Sequence, residues 1–590
     1  MKHQQLERVF DLLKAYEHQE IPILFNKKSN GSWQSYSSSS FVQSVHELAL
    51  GFLELGLGIG DKIAIISNNR TEWNIVDFAV QLIGGVTVPI YPTITIEDYT
   101  YIFSDSGSQL IFVENEDLFY KANEASKSLD FVKGIYTFDS IPAAKNWKEI
   151  ENLGKGKNVK NLEPFHSKVK STDLLTLIYT SGTTGRPKGV MLTHHNILSN
   201  VKSVVRGEYF DLKVGENVLS FLPLCHIYER TDIYLYMYYG VSIFYAESME
   251  TIADNIKEVQ PVAFATVPRL LEKVYDKILA KGNELTGIKR KLFFAAIDFG
   301  LKYDPMQKLG ILERIKYAVF SKLIFSKWRE ALGGNVRSIT SGSAALQPRL
   351  SRVFWAAGVP ISEGYGLTET SPVISVCKIN PPDFKIGCVG TILDCVQVKI
   401  AEDGEICCKG DSVMVGYYNN PEATAEAIDK EGWFHTGDIG ELVDGKYLKI
   451  TDRKKEIFKT SGGKYVAPQL VENKLKESAF IEQCMVVGEG QKFPSALIIP
   501  EFSALQFWAR QQGIHWESNA DLIKNPKIVQ KMEEEVRQTM ISVAKYEQVK
   551  KIVLLDKLFT IQDGELTPTL KLKRKVIYNK FESVILPLYT

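Results

Sequence analysis

Leu174-Leu175-Thr176-Leu177-Ile178-Tyr179-Thr180 runs directly into Ser181-Gly182-Thr183-Thr184-Gly185-Arg186-Pro187-Lys188-Gly189-Val190. A short apolar run, readable as a buried strand, empties into a loop of small and polar residues. Between Thr180 and Val190 stand four hydroxyl residues, three glycines and two cations. Glycines let backbone N–H groups approach an anion, hydroxyls add donors, and Lys188 adds a point charge. This is chemistry suited to holding a polyphosphate. The P-loop pattern is excluded, because Lys188 follows Pro187 and precedes Gly189. A plain surface turn accounts for the glycines and proline, but not for hydroxyls and cations gathered with them.

Working outward, strands and helices alternate. Ser40 is expected to cap a helix reaching about Leu55, with Val42, Val45, Leu48, Leu50 and Phe52 on its buried side and Gly56 and Gly58 at its end. A strand at Lys62 to Ile66 follows, then a helix opened by Asn68-Asn69-Arg70 and carrying Trp73. The next strand begins at Val86 and is curtailed by Pro89 and Pro92. The alternation returns from Leu174 to Phe244 and from Asn335 to Val376, which predicts an α/β fold of helix-covered parallel sheets. Ile233 to Phe244, the most lipid-like stretch, is short, tyrosine-rich and broken by Gly240, so it reads as a buried strand or helix.

Two regions depart from this texture. Residues 281–332 read as a helical insertion with several lysines, whose basic and apolar faces suit either solvent or membrane headgroups. From about Cys388 to Ile450 glycines multiply and short β-like runs dominate, as in Val396 to Ile400, Glu405 to Cys408, and Lys446 to Ile450 after a turn at Asp444-Gly445. A charged joint, Thr451-Asp452-Arg453-Lys454-Lys455, then leads into a remainder large enough for a separate α/β lid.

With 590 residues the chain is too long for one core. Lys+Arg and Asp+Glu both number 70, so no global charge attracts nucleic acid or an anionic membrane. The seven cysteines are odd in number and form no C-x-x-C, which fits free thiols in a reducing compartment. Met1-Lys2-His3-Gln4-Gln5 has no apolar signal-peptide core, and a cytoplasmic location is expected, with peripheral membrane contact left open.

Three further constellations carry chemistry. In Ser362-Glu363-Gly364-Tyr365-Gly366-Leu367-Thr368-Glu369 a glycine turn presents a ring, a hydroxyl and a carboxylate. They suit a purine, a phosphate oxygen and Mg²⁺, although a tight turn with a buried tyrosine explains the stretch equally well. In Gly432-Trp433-Phe434-His435-Thr436-Gly437-Asp438 an aspartate after a glycine can accept ribose hydroxyls; alone, it reads more simply as a β-turn acid. In Thr567-Pro568-Thr569-Leu570-Lys571-Leu572-Lys573-Arg574-Lys575 a lysine follows a proline turn, which by itself reads as a solvated basic run.

In this order and spread the motifs resemble the adenylate-forming superfamily of acyl-CoA synthetases, luciferases and peptide-synthetase adenylation domains. The resemblance narrows to the long-chain fatty acid–CoA ligases through Leu222-Pro223-Leu224-Cys225-His226-Ile227-Tyr228-Glu229-Arg230, Val267 to Val274, Ser341-Gly342-Ser343-Ala344 and Asp452 to Lys464. It implies a large N-terminal domain, 1–452, of helix-covered mixed or parallel sheets plus a small β subdomain at about 388–450. A hinge near 453–455 would join it to a small, mobile α+β lid, 453–590.

It also implies a reaction. ATP and a fatty acid give acyl-AMP and pyrophosphate; coenzyme A then takes the acyl group and AMP leaves. Lys571 is expected at the reacting carboxylate and α-phosphate, with Mg²⁺ held through Glu369. Thr180, Ser181, Gly182, Thr183, Thr184, Gly185 and Lys188 are expected around the departing phosphates, with Thr184 taking part in catalysis. Gly364, Tyr365, Gly366 and Thr368 would meet adenine and phosphate, Asp438 and Arg453 the ribose, and Gly342, Ser343 and Ala344 the adenine and acyl wall. Lys455 would be the hinge, Gly462 and Gly463 would meet pantetheine, and His226 would be a gate. The usual glycine before the C-terminal lysine is missing here, so Lys573 and Lys575 stay alternatives to Lys571. An acyl-AMP ligase serving a carrier protein, and a ligase for another acid class, are the rival activities.

Overall fold

The computed structural model describes residues 6–29, 31–180, 186–541, 543–567 and 571–589. Its contacts divide the chain into two units. The first comprises Met1–Lys399, Cys407–His435 and Val443–Leu448; the second comprises Ile400–Ile406, Thr436–Leu442 and Lys449–Thr590. The β-rich stretch read at 388–450 is thus apportioned between both.

In the first unit, Leu174–Thr180 is a strand with Leu175 to Tyr179 buried. It pairs in parallel with Val86–Ile90 and antiparallel with Lys188–Thr193, where Thr180 lies opposite Lys188. The sheet order is Gly416–Tyr417, Lys188–Thr193, Leu174–Thr180, Val86–Ile90, Lys62–Ile66, Ser108–Val113, Gly134–Thr137 and Lys145–Asn146. Its inner strands are parallel, and antiparallel pairing enters only through the two strands beyond the loop. The fully buried Arg230 locks the central strand from the side. It pairs with Asp77 and donates to Thr176 Oγ1 at 2.7 Å and to the Tyr234 hydroxyl at 2.8 Å. A buried cation is tolerated here because its donors are matched on several sides.

A second sheet runs Thr391–Ile392, Val373–Val376, Ile361–Gly366, Ser338–Ser341, Ala263–Thr266, Asn217–Ser220, Ser242–Tyr245, Phe25–Ser29 and Ser32–Tyr36. It is parallel from Ile361–Gly366 through Phe25–Ser29 and antiparallel at its margins. Helices between 268 and 331 cover part of it through Phe293, Ile297, Phe325 and Trp328. This is the α/β architecture the alternation predicts.

Local details differ from the sequence reading. The first long helix is Ser38–Glu54, and its cap is Ser37, whose hydroxyl accepts from the Ser40 N–H at 3.2 Å. Four successive serines made the cap degenerate; the buried face moved it one turn back from Ser40. Pro89 lies inside its strand, opposite Ile65, instead of curtailing it. Ile233 to Phe244 is neither one strand nor one helix: Ile227–Tyr239 is helical, Gly240 closes it at φ 69°, and Ser242–Tyr245 is a strand. The turn at Asp444-Gly445 has φ values of 52° and 65°, the paired left-handed conformation a tight hairpin requires.

The second unit contains a three-stranded sheet of Ile481–Val487, Ser495–Pro500 and Lys551–Leu554, antiparallel then parallel. Alternation along its strands sends Cys484, Val486, Ala496 and Ile498 to one core. Met485, Val487, Leu497 and Ile499 face another core closed by Ile577 and Ile585 of the helix Arg574–Ile585. Period-2 side chains on a sheet covered on both faces require apolar residues at every position.

Candidate active site

Ser181, Gly182, Thr183, Thr184 and Gly185 lie outside the described residues, as do Pro568, Thr569 and Leu570. What surrounds the first of these stretches is ordered by pairing. Thr180 and Lys188 are opposite each other in the hairpin, and the far edge of Lys188–Thr193 carries Gly416–Tyr417, with Tyr417 opposite Val190. Tyr418 N–H donates to Gly189 O at 2.7 Å, and Met414 N–H donates to Glu369 O at 2.8 Å. The segment 414–418 therefore stitches the lysine strand to the glutamate turn.

Tyr417 is the centre of that stitch. The Lys188 ammonium lies 5.0 Å from its ring centroid, and its hydroxyl donates to Glu369 Oε1 at 2.9 Å. Burial, and then the Glu369 charge, push the phenol well above its ordinary range, so it remains a donor. Lys188 and Glu369, read from separate motifs, are thus brought together through a residue the motif reading missed. No pattern local to Val415-Gly416-Tyr417-Tyr418 signals it. A half-buried carboxylate with one oxygen oriented by a phenol is a fitting donor for a hard dication such as Mg²⁺.

Thr368–Thr370 forms a short turn of helix that follows the strand Ile361–Gly366. Tyr365 is buried, and the glycines on its two sides are not equivalent. A Cβ at Gly366 would come within 1.8 Å of Pro372 O, whereas at Gly364 its nearest neighbours would stand at 3.8 Å. Gly366 is needed for that close backbone approach. Ser343 adopts φ 69°, uncommon for a residue with a Cβ, directly after Gly342. The Tyr228 ring would be 3.1 Å from a Cβ at Gly342, and its hydroxyl donates to Thr340 O at 3.1 Å. Ala344, beyond this turn, is exposed.

His226, read as a gate, has a definite local role. Its Nδ1 accepts from the Tyr228 N–H at 3.1 Å and caps the helix Ile227–Tyr239. In the first turns of that helix, burial raises Glu229 well above the carboxylate range and Asp232 to about 8. Burial thus favours the neutral form of both acids, a feature the motif alone did not disclose.

The second unit holds the other candidates. Asp438 is buried, and its Oδ1 lies 3.1 Å from Arg453 Nε. Its neighbour Gly437, at φ 71°, donates its N–H to Glu405 Oε1 at 2.9 Å, and Lys454 donates to Gly437 O through its backbone N–H at 2.8 Å. Glu456 and Ile457 both donate back to Arg453 O, which leaves Lys455 exposed on a turn. Gly462 and Gly463 sit in the exposed connection between Phe458–Lys459 and Tyr465–Val466, with Gly463 at φ 78°.

Lys571 is exposed and closes a short bridge. Thr567 N–H donates to Lys571 O at 2.8 Å, Lys571 N–H donates to Thr567 Oγ1 at 3.1 Å, and Leu566 pairs with Leu572. Three residues on, Arg574 donates to both oxygens of Glu472 at 2.7 and 2.8 Å and to Glu456 Oε2 at 2.9 Å. That bidentate clamp fixes the base from which Lys571 projects.

A family model described as AMP-binding enzyme matches residues 14–418, and one described as AMP-binding enzyme C-terminal domain matches residues 455–590. The chain belongs to the AMP-binding enzyme family, the adenylate-forming enzymes. It is similar to Long-chain-fatty-acid–CoA ligase FadD15 of Mycobacterium tuberculosis, 35% identical over 583 residues that cover 98% of this chain and 96% of that one. It is also similar to Long-chain-fatty-acid–CoA ligase 1 of Homo sapiens, 34% identical over 563 residues, 90% of this chain and 78% of the human one. Its fold is similar to that of ATP-bound MatB from Rhodopseudomonas palustris, with a TM-score of 0.72 at 19% identity over 98% of this chain and all of that one (100%).

Proposed function

We propose that the protein is a long-chain fatty acid–CoA ligase. Its first step forms a bond from the fatty carboxylate oxygen to the α-phosphorus of ATP, breaks the bond to the β-phosphate bridge, and releases pyrophosphate. Its second step forms a C–S bond from the thiol of coenzyme A to the acyl carbon and breaks the C–O bond to phosphate. AMP leaves and the thiol proton passes to solvent. The observation that carries this reading is the likeness, over 98% of the chain, to a relative named for that activity.

Carboxylate and triphosphate are both anions, so the first barrier is partly Coulombic and positive charge must stand at the reacting oxygens. In this reading Lys571 supplies it, beside a short bridge that precedes the Arg574 clamp. Lys188, with Thr180 and the hydroxyls up to Thr184, holds the departing phosphates. Glu369, oriented by Tyr417, would hold Mg²⁺, which when bound neutralises phosphate charge, and Thr184 takes part in catalysis. Tyr365 stacks on adenine between Gly364 and Gly366, while Thr368 meets phosphate. Gly342 to Ala344 wall the adenine and acyl carboxylate, and Asp438 with Arg453 takes the ribose.

The thiolation step needs the approach that Lys571 uses in the first. We assign the lid to residues 453–590, beyond a domain of 1–452, with Lys455 on its exposed turn as the hinge, Gly462 and Gly463 as the pantetheine contact, and His226 as the gate. The test is pyrophosphate release over acids from acetate to the long-chain range, with and without coenzyme A. A long-chain optimum with thioester formed only when coenzyme A is present supports the reading. A short-acid optimum, or acyl-AMP that never passes to coenzyme A, overturns it in favour of the rival activities.

A further inference from the structure

The helices between 287 and 331 present two unlike faces. Ile311–Phe320 turns Tyr317 and Phe320 inward, where Tyr317 stacks on Tyr303 at 5.6 Å and Phe320 meets Phe299 at 5.6 Å. Its other face is aliphatic and bare: Ile311 is 79% exposed, Leu312 75%, Ile315 58% and Val319 42%. Their spacing places them on one stripe of an α-helix. The π-helical turn Ser321–Phe325 then adjusts the register: Phe325 and Trp328 are buried, while Leu323, 49% exposed, extends the stripe. Ile288, on the preceding helix Gly287–Lys302, is 84% exposed.

An aliphatic stripe of this size is costly in water and asks for a covering. The charge around it says what kind. Residues 287–332 contain ten Lys and Arg against four Asp and Glu, in a chain whose total charges balance at 70 each. Lys316 and Lys322 are exposed and share the helical stretch with the stripe. A second protein surface would match the stripe without needing that local cationic excess. A bilayer with anionic headgroups satisfies both, taking the aliphatic residues at the acyl boundary and the ammonium groups among phosphates. No helix of the described residues is long and apolar enough to cross a membrane, so contact through this element is contact with the surface.

We propose that 287–327 is an interfacial membrane-docking element, with Ile311, Leu312, Ile315, Val319 and Leu323 entering the interface and Lys316 and Lys322 meeting anionic headgroups. The experiment is vesicle co-sedimentation of the full chain with phosphatidylcholine alone and with phosphatidylcholine mixed with phosphatidylglycerol. Three proteins are compared: the wild type, Ile315→Glu/Val319→Glu and Lys316→Glu/Lys322→Glu. Circular dichroism and light scattering report folding and oligomeric state. The expected result is salt-sensitive binding to the anionic vesicles that falls about tenfold or more in each variant. The lysine variant touches no buried residue and keeps the test valid if the apolar one misfolds. Three results overturn the proposal: no binding by the wild type, equal binding to neutral vesicles, or undiminished binding by the lysine variant. So does a wild-type dimer that the Ile315→Glu/Val319→Glu change dissociates, because a second copy then covers the stripe. The readout is independent of catalysis.

Discussion

Arg453 Nε stands 3.1 Å from Asp438 Oδ1, so the carboxylate assigned to ribose is already held by the cation assigned beside it. The pairing orients a buried carboxylate that can accept from vicinal hydroxyls. Asp438→Ala should raise KM for ATP by about tenfold or more, since hydrogen bonds to a charged group contribute roughly 1.5–3 kcal/mol. Arg453→Gln should do so less. A variant with normal KM in pyrophosphate release would remove Asp438 from the ribose.

The Tyr417 hydroxyl orients Glu369, while its ring faces Lys188. Tyr417→Phe removes the first contact and keeps the second. The Mg²⁺ concentration needed for half-maximal adenylation should rise several-fold, in line with a hydrogen bond worth about 1 kcal/mol. An unchanged Mg²⁺ titration would mean that Glu369 is oriented by other groups.

Lys571→Ala should cut adenylation by about a hundredfold or more, the scale of losing a group that stabilises developing charge. Thioester formation from supplied acyl-AMP should be largely spared. Lys455→Pro should show the opposite bias, with acyl-AMP accumulating. Equal loss of both half-reactions in either well-folded variant would count against separate conformations for the two steps.

Gly366→Ala places a methyl within 1.8 Å of Pro372 O, and backbone cannot yield as a side chain end does. We expect a loss of at least about 3 kcal/mol, read as failure to fold or a sharply lowered unfolding midpoint. Gly364→Ala, with 3.8 Å of clearance, is the control that should fold.

Burial raises Asp452 from its ordinary 3.8 to about 7, against backbone N–H groups of Arg453 and Gln469 that favour the ionised form. Below about pH 4 the carboxyl is protonated in both folded and unfolded chains. Between there and about 7 the folded protein binds the proton more tightly, so its contribution to stability falls as pH rises through that window. Asp452→Asn should flatten this part of the profile of unfolding midpoint against pH. Glu363 and Asp232, both raised by burial to about 8, give the same sign in wild type and variant and cancel in the difference. Identical slopes in the two proteins would contradict the assignment.

Much of the proposed site could be put forward from the sequence because its candidate residues fall in contiguous motifs. Leu174 to Thr180 carries its burial pattern in its own composition, and each of Glu369, Asp438 and Lys571 sits in a short motif with a glycine or proline within three residues before it. What was not legible depends on contacts across the chain. Tyr417 meets Glu369 only because the 414–418 segment joins the edge of the sheet, and the Tyr228 ring covers Gly342 only because the helix Ile227–Tyr239 begins against Thr340 of the strand Ser338–Ser341. The Ser37 cap was hidden among equivalent serines. Pro89 misled because a proline reads as a strand end when its pairing partners are unknown.

The pairing of Thr180 with Lys188, described above as sheet geometry, also acts as a ruler on the chain. Side chains on a strand change sides with every residue, and Lys188–Thr193 is pinned on both edges, by Leu174–Thr180 and by Gly416–Tyr417. Adding or deleting one residue between those paired positions must either be absorbed within the connection or turn Lys188 to the opposite face. Substitutions there are tolerated or not one at a time; a change of length is judged by parity.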